Sequence, residues 1–375
     1  MDHAATTPVD AKVLEAMIPF FNAVYGNASS IHSFGQDAKE ALDSSREKCA
    51  KLINADFEEI VFTSGGTESD NLAIKGVVRK GNHIITSKIE HHAVLHTCEF
   101  LEKHGFEVTY LPVDKYGFVN PRGVEKAIKK NTVMVSIMHA NNEIGTIEPI
   151  AEIGNICRDK DVLFHTDAVQ SFGKIPIDVK KMNIDMLSAS AHKLYGPKGV
   201  GLLYVRKGVR LTPQIHGGGH EFGLRSSTEN VPGIVGFAKA VELAKKNMNR
   251  WAEHEKRLSK MLVKGVLKIP DSWLNGHPEK RLPGNTNFCF KHIEGESMVI
   301  HLSMKGVAAS TGSACSSKSL KPSHVLTSIG LSSKDAHGSL RLTLGKDNTK
   351  KEVGYVLKEL PSIVENLRRI SPLTR

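Results

Sequence analysis

Short apolar runs alternate with amphipathic stretches between residues 60 and 205 of this 375-residue chain. Apolar runs of this length, bounded by turn residues, predict strands, and a period near 3.6 predicts helices. We expect strands at Glu59–Thr63, His83–Ser87, Glu107–Leu111, Val133–His139, Val162–Thr166, Met186–Ala189 and Gly201–Val205. We expect helices at Glu68–Arg79, His92–His104, Gly123–Lys129 and Pro149–Asp159. Strands separated by helices predict an α/β fold with a mostly parallel, seven-stranded sheet covered on both faces.

The pattern changes after residue 230. Here a long helical period is followed by shorter strands and a closing helix, at Val235–Lys268, Asn287–Phe290, Leu340–Leu344 and Thr349–Arg368. We therefore predict a large domain over residues 12–255. A smaller α+β domain would comprise residues 256–375, to which residues 1–11 return.

Composition and charge narrow the classes of protein. No run of about 18 apolar residues occurs, which argues against a membrane span. Residues 1–6 lack the basic and apolar regions of a signal peptide, so we expect a cytoplasmic location. Fifty Lys and Arg residues against forty Asp and Glu give a net charge of +10. The lysines are scattered, without an arginine-rich arm, so we expect a solvated basic surface and no direct nucleic-acid binding.

The five cysteines do not form a recognisable framework. Their odd number, wide spacing and lack of a Cys-x-x-Cys pair argue against disulfides or a zinc site, and we predict no metal. Cys49, Cys98, Cys157 and Cys289 lie in apolar or helical contexts and are expected to be buried.

A lysine and an aspartate each follow a predicted buried strand. Lys193 lies two residues after the apolar run that ends at Ala191. An ammonium there would be poorly solvated, which favours its neutral, nucleophilic form. Asp167 ends the strand that begins at Val162. Pyridoxal phosphate needs a lysine for its Schiff base and an acid that keeps its pyridine nitrogen protonated. The leading hypothesis is therefore a pyridoxal-phosphate enzyme; the alternative is an ordinary surface lysine.

A paired-glycine turn offers a place for the cofactor phosphate. Gly66 and Thr67 lie between a predicted strand and a helix, where free N–H groups and a hydroxyl can bind an anion. Ligands of such sheets bind beyond the carboxyl ends of the strands. We expect one shared crevice because four polar residues are predicted at strand ends: Thr63, His139, Asp167 and Ser190.

Three further side chains could reach such a cofactor. His91 precedes a predicted helix and could stack on the pyridine ring and act as acid or base, or simply begin the helix. His192 lies beside the lysine and could reach the phosphate. Gln170, three residues after Asp167, could bond the phenolic oxygen.

Two residues near the end of the chain could act on a substrate. Cys315 lies in a segment of Gly, Ser and Ala, which predicts a mobile, exposed loop, and Lys318 would favour its thiolate. It is either a functional nucleophile or an incidental thiol. Arg341 lies inside a predicted strand and needs an anionic partner, either a substrate carboxylate or a structural carboxylate.

These residues together resemble the cysteine desulfurases of the class V aminotransferase superfamily, whose fold is that of type I pyridoxal-phosphate transferases. The resemblance covers nearly the whole chain, in order. Its motifs are Asp2-His-Ala-Ala-Thr-Thr-Pro8, Gly26-Asn-Ala-Ser-Ser-Ile-His32, Thr63-Ser-Gly-Gly-Thr-Glu-Ser-Asp-Asn71, Glu90-His91, Asn141-Asn142-Glu-Ile-Gly145, Asp167-Ala-Val-Gln170, Ser190-Ala-His-Lys193, His216-Gly-Gly-Gly-His220 and Gly312-Ser-Ala-Cys315.

The resemblance implies a role for each matching residue. Lys193 is the Schiff-base lysine, and Cys315 is the nucleophile. The phosphate is held by Gly66, Thr67, Ser190 and His192, while Thr228 reaches the cofactor of the neighbouring subunit. The remaining contacts are Asp167 to the ring nitrogen, Gln170 to the phenolic oxygen, His91 on the ring face, and Asn142 and Arg341 to the substrate, with Asn142 also touching the cofactor.

The implied protein is a homodimer that converts L-cysteine to L-alanine. Cys315 would take the sulfur as a persulfide and pass it to an iron–sulfur scaffold or another acceptor, including the machinery of tRNA thiolation. The alternatives are a selenocysteine lyase, a class V aminotransferase or a sulfur-transfer scaffold without activity.

Overall fold

The predicted strands between residues 60 and 205 all form, and together they make one sheet. In the computed structural model, which describes residues 1–312 and 322–371, the strand order is β1-β7-β6-β5-β4-β2-β3. Only β7 runs antiparallel to its neighbours, which confirms the mostly parallel sheet. The strands are β1 Ile60–Thr63, β2 His83–Ser87, β3 Glu107–Leu111, β4 Thr132–Ser136, β5 Leu163–Asp167, β6 Met186–Ser190 and β7 Gly201–Val205.

Helices cover both faces of this sheet, because successive side chains of each strand point to opposite sides. Leu202 and Tyr204 of β7 pack into one apolar cluster, and Leu203 and Val205 pack into another. The helices of this part of the chain are α1 Ala11–Met17, α2 Pro19–Asn22, α3 Ser33–Leu52, α4 Gly66–Val77, α5 His92–Lys103, α6 Pro121–Ala127, α7 Ile150–Asp159 and α8 Val231–Val266.

A second sheet has its own apolar core. Its three strands are antiparallel, in the order β10-β9-β8. The elements are β8 Ser272–Leu274, β9 Asn285–Phe290, α9 Gly295–Met304, α10 His324–Ser328, α11 Ser333–His337, β10 Ser339–Thr343 and α12 Lys350–Ile370. The N-terminal half of α8 packs in the core of the large sheet and its C-terminal half in that of the small sheet. The predicted boundary at residue 255 thus lies inside α8, and the division into domains stays a prediction.

The N-terminal segment joins the small sheet. Asp2 pairs with Thr343 of β10, and the Ala4 N–H donates to the Thr343 hydroxyl at 2.9 Å. A few residues later the chain contacts the large sheet, where the Thr7 N–H donates to the His192 carbonyl at 2.9 Å. The N-terminal segment therefore contacts both the small sheet and the one-turn helix that follows β6. The assignment of residues 1–11 to the small domain stays a prediction.

The predicted burial of four cysteines can be compared with the fold. Cys49, Cys98, Cys157 and Cys289 are all buried, as expected. Cys315 lies outside the described residues. No helix in residues 1–312 or 322–371 is long and apolar enough to cross a membrane.

Candidate active site

A cavity of about 200 Å³ opens beside the carboxyl ends of β5 and β6. The carboxyl end of β1 lies at the same edge, because β1 and β6 both run antiparallel to β7. Ten residues predicted from the sequence line this cavity: Gly66, Thr67, His91, Asn142, Asp167, Gln170, Ser190, His192, Lys193 and Arg341. The predicted shared crevice therefore exists at the edge of the sheet where ligands of such folds bind.

The lysine amine and the aspartate carboxylate lie in the same cavity. Asp167 is the last residue of β5, and Lys193 ends the one-turn helix that follows β6. The Lys193 amine donates hydrogen bonds to the carbonyls of Ala4 and Ala5, at 2.6 and 2.8 Å. Gln170 also donates to the Ala4 carbonyl, at 3.0 Å. The N-terminal segment thus forms a wall that orients both side chains.

Burial shifts the acid–base balance of Asp167. Loss of hydration raises the pKa of its carboxyl to about 6, although a hydrogen bond from the Val169 N–H and the nearby Lys193 both oppose the rise. That hydrogen bond is 2.9 Å long. A cation placed against this carboxylate would stabilise its charged form and lower the pKa again.

A second carboxyl group, that of Asp70, also lines the cavity. Burial and the neighbouring Asp167 raise its pKa well above the ordinary value. Its Oδ1 lies 3.6 Å from Nε2 of His165, whose pKa burial lowers to about 3. Because the imidazole is neutral at such a pKa, this contact is not an ion pair.

The glycine turn before α4 has the geometry of an anion site. Gly65 has φ +157° and offers no side chain to cap the helix. A Cβ on Gly66 would lie 2.5 Å from Val169 Cγ2 and 3.9 Å from Ser190 Cβ, so the cavity wall requires glycine at this position. The first turn of α4 has free N–H groups at its N-terminus, and its residues Gly66 and Thr67 line the same cavity as Ser190.

His91 is held in one orientation by the start of α5. It is the N-cap residue, and its Nδ1 accepts a hydrogen bond from the Ala93 N–H at 3.2 Å. Burial, assisted by the charge of Lys193, lowers its pKa to about 4. His91 therefore begins the helix, which is one of the two alternatives, and its neutral ring also lines the cavity. Its stacking on a cofactor stays a prediction. His192 is neutral for similar reasons, since burial and then Lys193 lower its pKa to about 4.

Arg341 has a structural partner and also faces the cavity. Its side chain is 1 % exposed, and Nη2 lies 3.0 Å from Oδ1 of Asp2. Nη1 donates to the Asn142 carbonyl at 2.9 Å, while Nε has no acceptor among the described residues. The two alternatives for this guanidinium are therefore compatible, because the ion pair leaves part of the donor fork for a ligand.

Three of the residues expected at the site are absent from the wall of this cavity: Thr63, His139 and Thr228. The Thr63 hydroxyl instead lies 2.8 Å from the hydroxyl of Ser69. Thr228 is exposed and is absent from the cavity wall. Cys315 falls outside the described residues. His139 was expected in the crevice, but β4 ends at Ser136, and His139 is buried away from the cavity wall. That expectation was wrong because the strand is shorter than its apolar run suggests.

Comparison with known proteins decides the family. A family model described as "Aminotransferase class-V" matches residues 1–356. A protein of Methanosarcina thermophila named "Cysteine desulfurase IscS" is 56% identical over 378 residues, covering 100% of this chain and 94% of that protein. A solved structure named "NIFS-LIKE PROTEIN" superposes with a TM-score of 0.92 at 42% identity, covering 98% of this chain and 99% of the other. A structure named "SspA in complex with cysteine" has a TM-score of 0.82 at 42% identity, with coverage of 93% and 99%.

The chain belongs to the NifS/IscS-like cysteine desulfurases. This membership confirms the predicted fold class and the predicted enzymatic function.

Sequence reasoning missed six residues of the wall in this desulfurase, and three of them contribute polar groups: Ala4, Ala5 and Asp70. The carbonyls of Ala4 and Ala5 accept from Lys193, yet backbone acceptors carry no residue-type signal. Asp70 lies three residues after Thr67 on α4 and therefore projects from the same face of the helix. That spacing was the one available signal.

Proposed function

We propose that this desulfurase binds pyridoxal phosphate in the cavity and uses Cys315 as the sulfur acceptor. The observation that carries the proposal is that the Lys193 amine and the Asp167 carboxylate both line one cavity at the carboxyl ends of β5 and β6. An amine that can bind an aldehyde and a carboxylate that can hold a protonated ring nitrogen are the two groups this cofactor requires.

The donor set fits the rest of the cofactor as well. The uncapped first turn of α4 suits a phosphate, with Gly66, Thr67, Ser190 and His192 on the same wall. Gln170 can donate to a phenolic oxygen. His91 offers a neutral ring face, which stacks on a pyridinium without charge repulsion. When bound, pyridoxal phosphate withdraws electrons from the substrate Cα through its ring.

The side chains of the cavity would then bind the substrate and move its protons. The donor fork of Arg341, with Nε still available, suits the α-carboxylate of L-cysteine, and the amide of Asn142 lies on the same wall. The imidazole of His91 can accept a proton near neutral pH because it is uncharged. The thiolate of Cys315 would bond to the substrate sulfur as the Cβ–S bond of L-cysteine breaks. The electron pair of that bond would stay on Cβ, which takes up a proton, so the products would be a persulfide on the chain and alanine.

We propose a homodimer in which Thr228 completes the partner's site. Its exposure and its absence from this cavity support that role. An exposed apolar group near the start of α3 also supports an interface, since Tyr25 is 66% exposed and Ile31 is 95% exposed. The rings of Tyr25 and the exposed Phe34 lie 5.7 Å apart, so these two side chains form one apolar patch.

The sulfur would pass to an acceptor protein, for iron–sulfur cluster assembly or tRNA thiolation. The name IscS carried by the Methanosarcina relative supports the first use. Cytoplasmic location stays a prediction.

The direct test measures sulfide and alanine formed from L-cysteine by three forms of the protein. The wild type should be coloured by its cofactor and active, Lys193→Ala should lose both properties, and Cys315→Ala should keep the colour but lose sulfide release. Undiminished turnover by Cys315→Ala would refute the nucleophile and favour a lyase. Formation of a keto acid from cysteine in place of alanine would favour an aminotransferase. A protein that stays colourless after addition of cofactor would favour a scaffold.

Subunit mixing tests the role of Thr228. Lys193→Ala subunits retain Thr228, and Thr228→Val subunits retain Lys193. If Thr228 acts across the interface, the mixed dimer contains one complete site, and activity should return on mixing. Absence of recovery in a mixture shown to contain heterodimers would place Thr228 outside the partner's site.

A further inference from the structure

The buried carboxylate of Glu143 lies close to residues on either side of the segment that carries Cys315. Glu143 does not line the cavity. Glu143 is 1% exposed and follows Asn142 in the chain. Its turn is fixed by Asn141, whose Oδ1 accepts from the Glu143 and Ile144 N–H groups at 2.9 and 3.0 Å. The Asn141 amide in turn donates to the Ile89 carbonyl at 2.9 Å. Glu143 therefore belongs to a rigid part of the large sheet's edge.

The chain after Cys315 returns to this carboxylate. The Ser323 hydroxyl donates to Oε2 of Glu143 at 2.5 Å. The same hydroxyl accepts from the N–H groups of Val325 and Leu326, both at 3.2 Å, and so caps α10. Ser323 therefore ties the start of α10 to the turn that carries Asn142.

The chain before Cys315 runs against the same carboxylate. A Cβ on Gly312 would lie 2.9 Å from Oε2 of Glu143 and 3.6 Å from Oε1. Since real Cβ atoms do not approach an oxygen so closely, this backbone position requires glycine or a displacement of the carboxylate. Gly312 and Ser323 are thus brought together at Glu143, with Cys315 between them in the sequence.

We propose that Glu143 is a positioning residue for the sulfur-transfer step, because its carboxylate holds the base of the Cys315 segment beside the cavity. This inference rests on the proposed role of Cys315. Glu143 anchors one end of the segment by a hydrogen bond from Ser323 and packs closely against Gly312 at the other end. Restraining the ends of a segment limits the volume that its thiol can search, and so raises the effective concentration of that thiol at the substrate. Glu143 touches neither the substrate nor the cofactor in this account.

The test separates the thiol step from the steps before it. β-Chloro-L-alanine loses chloride without any thiol, so its conversion to pyruvate reports on the cofactor and on proton removal alone. Glu143→Ala should lower the single-turnover rate of persulfide formation from L-cysteine on the order of tenfold, the loss expected for one hydrogen bond to a charged group. Pyruvate formation should change less than twofold. Glu143→Gln, whose amide oxygen can still accept from Ser323, should recover part of the rate.

Two serine variants provide a matched pair. Ser323→Asp can still cap α10 but cannot donate to Glu143, and its charge repels that carboxylate. Its rate of persulfide formation should therefore fall at least as far as in Glu143→Ala. The Ser332 hydroxyl accepts from the Asp335 N–H and caps α11 in the same way. Ser332→Ala removes this cap and should leave persulfide formation and pyruvate formation unchanged.

The result that would overturn the proposal is an equal loss of both rates in Glu143→Ala, or full persulfide formation in it. A purely structural role predicts the equal loss. Failure of the proposed function gives a different result, since Cys315→Ala would then form sulfide at the wild-type rate whatever Glu143 does.

Discussion

The ion pair between Arg46 and Glu221 should be strongly coupled, because both side chains are buried. They are 4% and 2% exposed, and two nitrogens of Arg46 donate to the two carboxylate oxygens at 2.7 and 2.8 Å. The guanidinium also lies 4.9 Å from the ring centroids of Phe62 and Phe222. The perturbation consists of Arg46→Met, Glu221→Gln and the double variant, which together form a thermodynamic cycle.

Each single variant leaves one buried charge without its partner, which costs about 3–5 kcal/mol of unfolding free energy. The double variant leaves no charge. It loses the hydrogen bond from Arg46 to the Ile60 carbonyl, which contributes about 1 kcal/mol. It also loses the contact of the guanidinium with the aromatic rings, which contributes up to about 2 kcal/mol. The glutamine can still accept from the Phe62 N–H, as Glu221 does at 2.7 Å. The double variant should therefore be far more stable than the sum of the single losses implies.

Urea unfolding followed by tryptophan fluorescence would measure these differences. Lys39→Met is a suitable control, because Lys39 and Asp43 form an exposed pair that contributes under about 1 kcal/mol. The opposite result would be a loss of unfolding free energy in the double variant equal to the sum of the two single losses. It would show that the buried Arg46 and Glu221 charges do not stabilise each other.

Two further predictions concern Gly66 in the cavity wall and the buried carboxyl group of Glu90. Gly66→Ala places a Cβ 2.5 Å from Val169 Cγ2, so the affinity for pyridoxal phosphate, measured by equilibrium titration, should fall about tenfold or more. Gly354 has open space around it, so the control variant Gly354→Ala should bind the cofactor with the wild-type affinity. Burial raises the pKa of Glu90 from 4.5 to about 8. Between these two pH values the folded state keeps a proton that the unfolded state releases. The contribution of Glu90 to the free energy of unfolding therefore falls as pH rises from about 4.5 to about 8. Glu90→Gln should flatten that loss in urea midpoints measured across the same range, and an unchanged slope would show that Glu90 is ionised when folded.

The sheet could be predicted because its signal is local. The strands at His83–Ser87, Glu107–Leu111 and Gly201–Val205 have the bounds expected from their apolar runs. Asp167 and Ser190 then follow at strand ends, and parallel topology brings those ends to one edge.

Other features depend on contacts that local patterns do not contain. Helix α3 was missed because its buried positions hold mostly small or polar residues, with Leu42 the one large aliphatic side chain among them. Arg46, on the same helix, is paired with a residue 175 positions away. Glu143 likewise contacts Gly312 and Ser323, which lie 169 and 180 positions further along the chain. No spacing rule could indicate contacts over such distances in sequence.

Borohydride reduction of the cofactor-loaded protein, followed by peptide mass spectrometry, tests the central claim most directly. Reduction makes the bond between the cofactor and its amine permanent, so the modified residue can be identified. The account predicts the cofactor mass on Lys193, with much weaker labelling in Asp167→Asn because the ring nitrogen loses its partner. A label on another lysine, or none on a protein that still desulfurates cysteine, would contradict it.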